Sequence, residues 1–185
     1  MTADALPVTL VEWQALDAAG REAARHLQID AAQIEFAGTM GRSIAACEAG
    51  DPTQVAGLVI RAGEQVVGWV LLKRDGAAPD WVDDRAAVVS GLRVATPHQG
   101  RGFGASALAA LARWVEQHWT TVPRLMLRVD DGNAAGIRAY ERAGWVETGE
   151  RRIGRVGVER TMALSLSPAS HPDPAIRADR RVPHE

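Results

Sequence analysis

Six consecutive residues, Gln99-Gly100-Arg101-Gly102-Phe103-Gly104, have the types and spacing to hold an anion. Three alternating glycines at the mouth of a helix cost chain entropy unless a ligand must approach the backbone closely. The free N–H groups of a helix start, with the positive end of its dipole, suit a phosphate. The chemistry on offer is phosphate cradling, and its plain alternative is a tight turn feeding an ordinary helix. Gly100-x-Gly102-x-x-Ala105 also matches the dinucleotide fingerprint in its final-alanine form, and Asp130 ends the next strand. That fingerprint turns straight off its strand, however, and here Ala95 to Gln99 intervene after Val94. It also wants further strand–helix–strand units, and beyond Trp119 the chain offers one more helix.

The loop must be positioned by what flanks it. Before it, Ala86 to Val94 reads as a buried strand, with Val88, Ser90, Leu92 and Val94 on one face and Val89, Gly91 and Arg93 on the other. After it, Leu108, Leu111, Ala112, Val115 and Trp119 form the apolar stripe of an amphipathic helix.

The remaining elements follow from periodicity and punctuation. Val8 to Trp13 alternates as a strand, and Asp17 is positioned to cap a helix over Ala18 to Leu27. A second helical pattern runs from Ile29 to Ala49, with Gly38 and Gly41 able to split it in two. Gln54 to Arg61 and Val66 to Arg74 form a hairpin, followed by the polar loop Asp75 to Asp84. Arg124 to Val129 is a strand and Asn133 to Ala143 a short helix closed by Gly144. Trp145 to Arg152 and Val158 to Leu166 make a last hairpin around Ile153 to Gly157. The order is β-α-α-β-β-β-α-β-α-β-β. From Ser167 the chain is rich in proline and charge without apolar period, so residues 1–166 read as the domain and 167–185 as a disordered tail.

Composition narrows the function classes. A net charge of −2 over 185 residues gives no electrostatic footprint for nucleic acid or an anionic membrane. Cys47 is the only cysteine, so the chain has no internal disulfide and no cysteine-based metal site, and His171 and His184 lack partners at ligand spacing. No apolar run approaches a membrane span and the first ten residues lack a signal-peptide pattern, so the cytoplasm is the expected location.

Gln99-Gly100-Arg101-Gly102-Phe103-Gly104 satisfies Gln/Arg-x-x-Gly-x-Gly/Ala, and at this point the chain resembles the GNAT superfamily of N-acetyltransferases. The segment from Asn133 through Tyr140 and Gly144 to Trp145 is similar to that family's Asn-x-x-Ala/Gly-x-x-x-Tyr-(x)₃-Gly-Phe motif, with Trp145 where phenylalanine is usual. The element order also matches, over Val8 to Leu166, while the motifs cover Ala86 to Glu150. The resemblance implies a mixed α/β sheet of seven strands, mostly antiparallel, with helices on both faces and central parallel strands that splay. It implies that Gln99 to Ala105 holds the pyrophosphate of acetyl-CoA. Backbone N–H groups of Leu92, Arg93 and Val94 would bond the pantetheine arm and polarise the thioester. Asn133 is a natural N-cap, and the resemblance adds a role in holding the cofactor. Tyr140, the only tyrosine, becomes the proton donor to a thiolate of pKa about 8.5, its own ordinary value being about 10.

The implied reaction is direct attack of a small-molecule primary amine on acetyl-CoA within a ternary complex. No base is marked: Glu35, Asp83, Asp84 and Glu147 qualify by type only, and Ser90 could order a water. Glu35, Asp80, Asp83 and Asp84 could form an acidic rim around a cationic acceptor. Gln33, Phe36 and Thr148-Gly149-Glu150 faintly resemble the polyamine branch, and polyamines stand beside aminoglycosides, amino acids and peptide N-termini. A sensor domain that binds acyl-CoA without transfer is a rival that the intact Tyr140 disfavours. The hairpin Trp145 to Leu166 offers an edge for homodimer pairing.

Overall fold

Short polar side chains fix where the helices of this computed structural model begin; it describes residues 7–166. Asp17 accepts the Gly20 N–H at 2.7 Å and opens α1 (Ala18–Arg25); Asp30 does the same for Gln33 at 2.8 Å and opens α2 (Ala31–Ala37). Thr39 caps α3 (Met40–Ala49), and Asn133 caps α5 (Ala134–Arg142) through the Gly136 N–H at 3.0 Å. Each cap satisfies a backbone donor that the helix itself leaves free. α4 (Phe103–His118) differs: its N-cap is Gly102 at φ +84°, a left-handed conformation, with no side-chain cap. The expected second helix is two, because Gly38 at φ +74° closes α2 and Thr39 restarts the chain as α3; Gly41 lies inside α3.

Seven strands form one sheet: β1 (Thr9–Glu12), β2 (Val55–Ala62), β3 (Gln65–Arg74), β4 (Ala87–Val94), β5 (Arg124–Asp130), β6 (Val146–Ile153) and β7 (Val158–Ser165). Their spatial order is β1-β2-β3-β4-β5-β7-β6, and only β4–β5 is parallel. The dinucleotide reading fails on this topology, since it requires a largely parallel, doubly wound sheet.

Helices cover both faces. On one, Leu58, Val70, Leu72, Val89, Leu125 and Leu127 pack against Leu108, Leu111 and Val115 of α4 and Ile137 of α5. On the other, Val59, Trp69 and Leu71 pack against Trp13, Ala24 of α1 and Ile44 and Cys47 of α3. The Trp69 indole donates to the buried Ser43 hydroxyl at 2.8 Å. No helix among the described residues is long and apolar enough to cross a membrane. The tail assigned to 167–185 lies outside the described residues.

β4 departs from the simple alternation expected of it. Its register against β3 slips between Trp69 and Leu71, with Gly91 at φ +57°: a β-bulge. The extra residue reverses the alternation. Val89 therefore shares a face with Leu92 and Val94, while Ser90 (opposite Leu71) and Arg93 (opposite Trp69) share the other. Val94 packs with Phe103 and Ala107 at the start of α4, which ties the strand to the helix across the glycine loop.

Candidate active site between the splayed strands

β4 and β5 pair only at Ala87–Leu125 and Val88–Met126, although both continue beyond. Past Val88 the parallel strands part, and two clefts open there. The larger, about 520 Å³, takes its walls from α2, the end of β4, the glycine loop and α5. The smaller, about 300 Å³, lies between β4, β5, Trp81 and the turn after β6. They share Phe36, Ala37, Leu92, Asn133 and Tyr140 as common walls.

The structure brings Leu92, Arg93, Val94, Gln99, Gly104, Asn133 and Tyr140 to the larger cleft. Gln99 donates to Asp30 at 3.2 Å and to the Val94 carbonyl at 3.3 Å, so the loop is tied to both walls. Gly100, Arg101, Gly102, Phe103 and Ala105 are not among the lining residues. Phe103 is buried in the core, its ring beneath the Arg101 guanidinium at 5.1 Å, and offers only its backbone. A Cβ on Gly100 would meet nothing within 4 Å, and one on Gly104 only Val94 Cγ2 at 3.9 Å. At Gly100 and Gly104 the loop presents bare backbone that the protein does not crowd, the surroundings a close-approaching ligand requires.

Tyr140 stands at the junction of the clefts, with Trp145 edge-on to its ring at 5.8 Å. Burial pushes its phenol up to about 12. Asn133 does the capping job expected of it, its Oδ1 committed to Gly136.

Two residues do more than their spacing reveals. Arg93 is buried, and its guanidinium donates to the carbonyls of Gly91 at 2.8 Å, Gly38 at 3.0 Å and Ala37 at 2.9 Å. It caps the C-terminus of α2 with a positive charge, where the helix dipole favours one. Burial holds its pKa down to about 10, so it remains charged at neutral pH. α2 buries no residue of its own and carries Gln33 and Phe36 to the cleft, so this clamp positions it. The second is Asp130, whose Oδ1 accepts the Gly132 N–H at 2.8 Å while Oδ2 is buried without a partner in the smaller cleft. Only its place at the end of β5, three residues before Asn133, marked it in the sequence.

The acids proposed by type are elsewhere. Asp83 pairs with Arg124 at 2.6 Å, and Glu147 with Arg151 at 2.8 Å and Arg160 at 3.1 Å. Glu35, Asp80 and Asp84 are exposed and line neither cleft. The polar loop reaches the site through Trp81 instead. Ser90 does line the smaller cleft.

No curated protein sequence matches the chain. Among solved structures, the aminoglycoside acetyltransferase AAC(6')-Ib with paromomycin and acetyl-CoA superposes with a TM-score of 0.69 at 16% identity, covering 86% of this chain and 93% of that one. The ribosomal-protein-S18-alanine N-acetyltransferase from Escherichia coli gives 0.61 at 20% identity, with 89% and 97% covered. Spermidine N-acetyltransferase from Vibrio cholerae, with CoA and spermine, gives 0.63 at 19% identity, with 87% and 96% covered. At these identities the likeness is one of fold. The sequence profile of the acetyltransferase (GNAT) family matches residues 17–145, which takes in the splayed strands, the glycine loop and the helix of Tyr140. The chain belongs to the GNAT family of acetyltransferases.

Proposed function

We propose that the protein transfers an acetyl group from acetyl-CoA to a primary amine of a small molecule, by direct attack with both substrates bound. The observation that carries this reading is the pair of clefts meeting at Tyr140. One cleft has a glycine loop and a helix start, and the other has polar walls; a ternary complex needs two such adjoining sites.

The residues present fit acetyl-CoA. The first N–H groups of α4 face no side-chain cap and suit the pyrophosphate. The parted ends of β4 and β5 leave room for an extended arm along Leu92 to Val94. Gln33 Oε1, buried in the larger cleft without a partner, is free to accept an amide N–H of that arm. When bound, acetyl-CoA supplies the acetyl group as a thioester, which needs little activation.

The chain's own residues then position groups and handle protons. In the transfer an N–C bond forms and the C–S bond breaks; the amine gives up a proton and the sulfur gains one. Tyr140 is the donor within reach of both clefts. At about 12 its phenol stays protonated at any working pH. Full transfer to a thiolate of about 8.5 in water is uphill, but the same burial raises the leaving sulfur. Tyr140 thus acts first as a hydrogen-bond donor to the developing charge and regains its proton from solvent. The exposed β6, paired only with β7, is the edge along which two copies would join; light scattering checks this. Steady-state transfer with Tyr140→Phe tests the reading: turnover should fall with acetyl-CoA affinity intact, and unchanged turnover with chemistry limiting would refute the assignment.

A further inference from the structure

The smaller cleft carries two polar atoms on β5 that the protein leaves without partners. They are Arg128 Nη1 and Asp130 Oδ2, both buried. A buried polar group without a partner costs about 1–3 kcal/mol, so such groups are kept where something else satisfies them. Arg128 and Asp130 alternate with the core-facing Leu127 and Val129, which puts both on the opposite face, about 6.6 Å apart along the strand.

Arg128 is held rather than free. Its Nε donates to the buried Thr161 hydroxyl at 3.3 Å, and Trp81 stacks on its guanidinium with the carbon 4.0 Å from the ring centroid. One edge and one face of the plane are used, and the Nη fork is left. A fixed guanidinium fork matches a carboxylate in two-point contact. Asp130 offers the opposite charge nearer Asn133 and Tyr140. The turn after β6 closes over it: a Cβ on Gly157 would lie 3.2 Å from Oδ2. Arg155 and Glu159, also lining the cleft, add one charge of each sign. Burial first, and then the Arg152 charge, hold Arg128 below the usual arginine range, against the opposing pull of Glu159 and Glu150.

We propose that the smaller cleft takes its acceptor as a free α-amino acid, with the carboxylate on the Arg128 fork and the amino group between Asp130 and Tyr140. This rests on the acetyl-transfer reading above. A polycation has no group to satisfy Arg128. A peptide N-terminus lacks the carboxylate at that position.

The test is calorimetric titration of the full chain, saturated with CoA, with each of the common L-amino acids, its carboxamide, and spermidine. At least one amino acid should bind tenfold or more tighter than its own amide, and spermidine should bind worse. Arg128→Gln should erase the preference by weakening the acid and sparing the amide, and Arg128→Lys should restore part of it. Equal affinity for acid and amide, or tighter binding of spermidine than of any amino acid, would overturn the proposal even if the variants fail to fold, because wild-type protein gives that answer. Transfer assays with the same compounds separate the two ideas: acetylation of amides as efficiently as acids leaves acetyl transfer standing and removes the carboxylate site. An acid preference in binding without any acetylation does the reverse.

Discussion

The Arg93 guanidinium donates to the Gly38 carbonyl at 3.0 Å, joining residues 55 apart in the chain and tying the bulged end of β4 to the end of α2. Because α2 buries nothing, the helix that supplies Gln33 and Phe36 to the clefts is held from the strand side by one buried charge. Arg93→Met should remove that charged donor and cost about 1.5–3 kcal/mol of stability. Urea unfolding measures it, and a loss below a few tenths would mean that solvent satisfies the α2 carbonyls unaided.

Gly104 separates stability from function. Its Cβ position is open, and it lies in the first turn of α4 at an ordinary helical φ, so Gly104→Ala should be neutral or stabilise by up to about 1 kcal/mol. The Gln/Arg-x-x-Gly-x-Gly/Ala pattern accepts alanine here, so acetyl-CoA affinity should hold in Gly104→Ala and fall in Gly104→Trp, whose side chain would fill the larger cleft. A thermal melt beside a binding titration checks both halves. A bulky residue at Gly102 should also weaken binding, but with strain from its φ of +84° added.

Asn133 carries two roles that substitution can divide. Asn133→Ala loses the cap, at about 1 kcal/mol. Asn133→Asp keeps an oxygen for the Gly136 N–H and replaces the amide donor with a charge beside the clefts. Its stability should stay near that of the parent while acetyl-CoA binds more weakly. Equal affinity in Asn133→Asp would reduce Asn133 to a helix cap.

Tyr140 sets the alkaline limb of the rate. The reaction needs the phenol protonated, so activity is lost as pH rises through its pKa. With that value at about 12, turnover should not decline between pH 8 and about 10.5 on its account. A falling limb near 10 that disappears in Tyr140→Phe would show an unburied tyrosine. The same variant should lower turnover about 100-fold.

What the sequence made legible was local. Helix starts at Asp17 and Asn133 and the break at Gly38 follow from short-range backbone needs, and the loop's glycines announce themselves by type. Alternation along β4 misread the faces of Val88, Ser90 and Val89 relative to Leu92, because a bulge inserts one residue without any compositional trace beyond Gly91. Arg93 read as a backbone position alone, because carbonyls 55 and 56 residues away cannot be seen from its neighbours. The acids picked by type were misplaced for a related reason: Asp83 of the expected rim and Glu147 of the candidate bases find arginines on other strands, while Trp81 and Asp130 face the cleft.

All of the proposed chemistry depends on the larger cleft being an acetyl-CoA site. Calorimetric titration of the full chain with acetyl-CoA, with NAD as control and Gly104→Trp as the blocked site, is the measurement to make. Micromolar-scale binding of acetyl-CoA, none of NAD, and clearly weaker acetyl-CoA binding in the variant are expected. Binding of NAD alone, or acetyl-CoA affinity unchanged in Gly104→Trp, would rule it out.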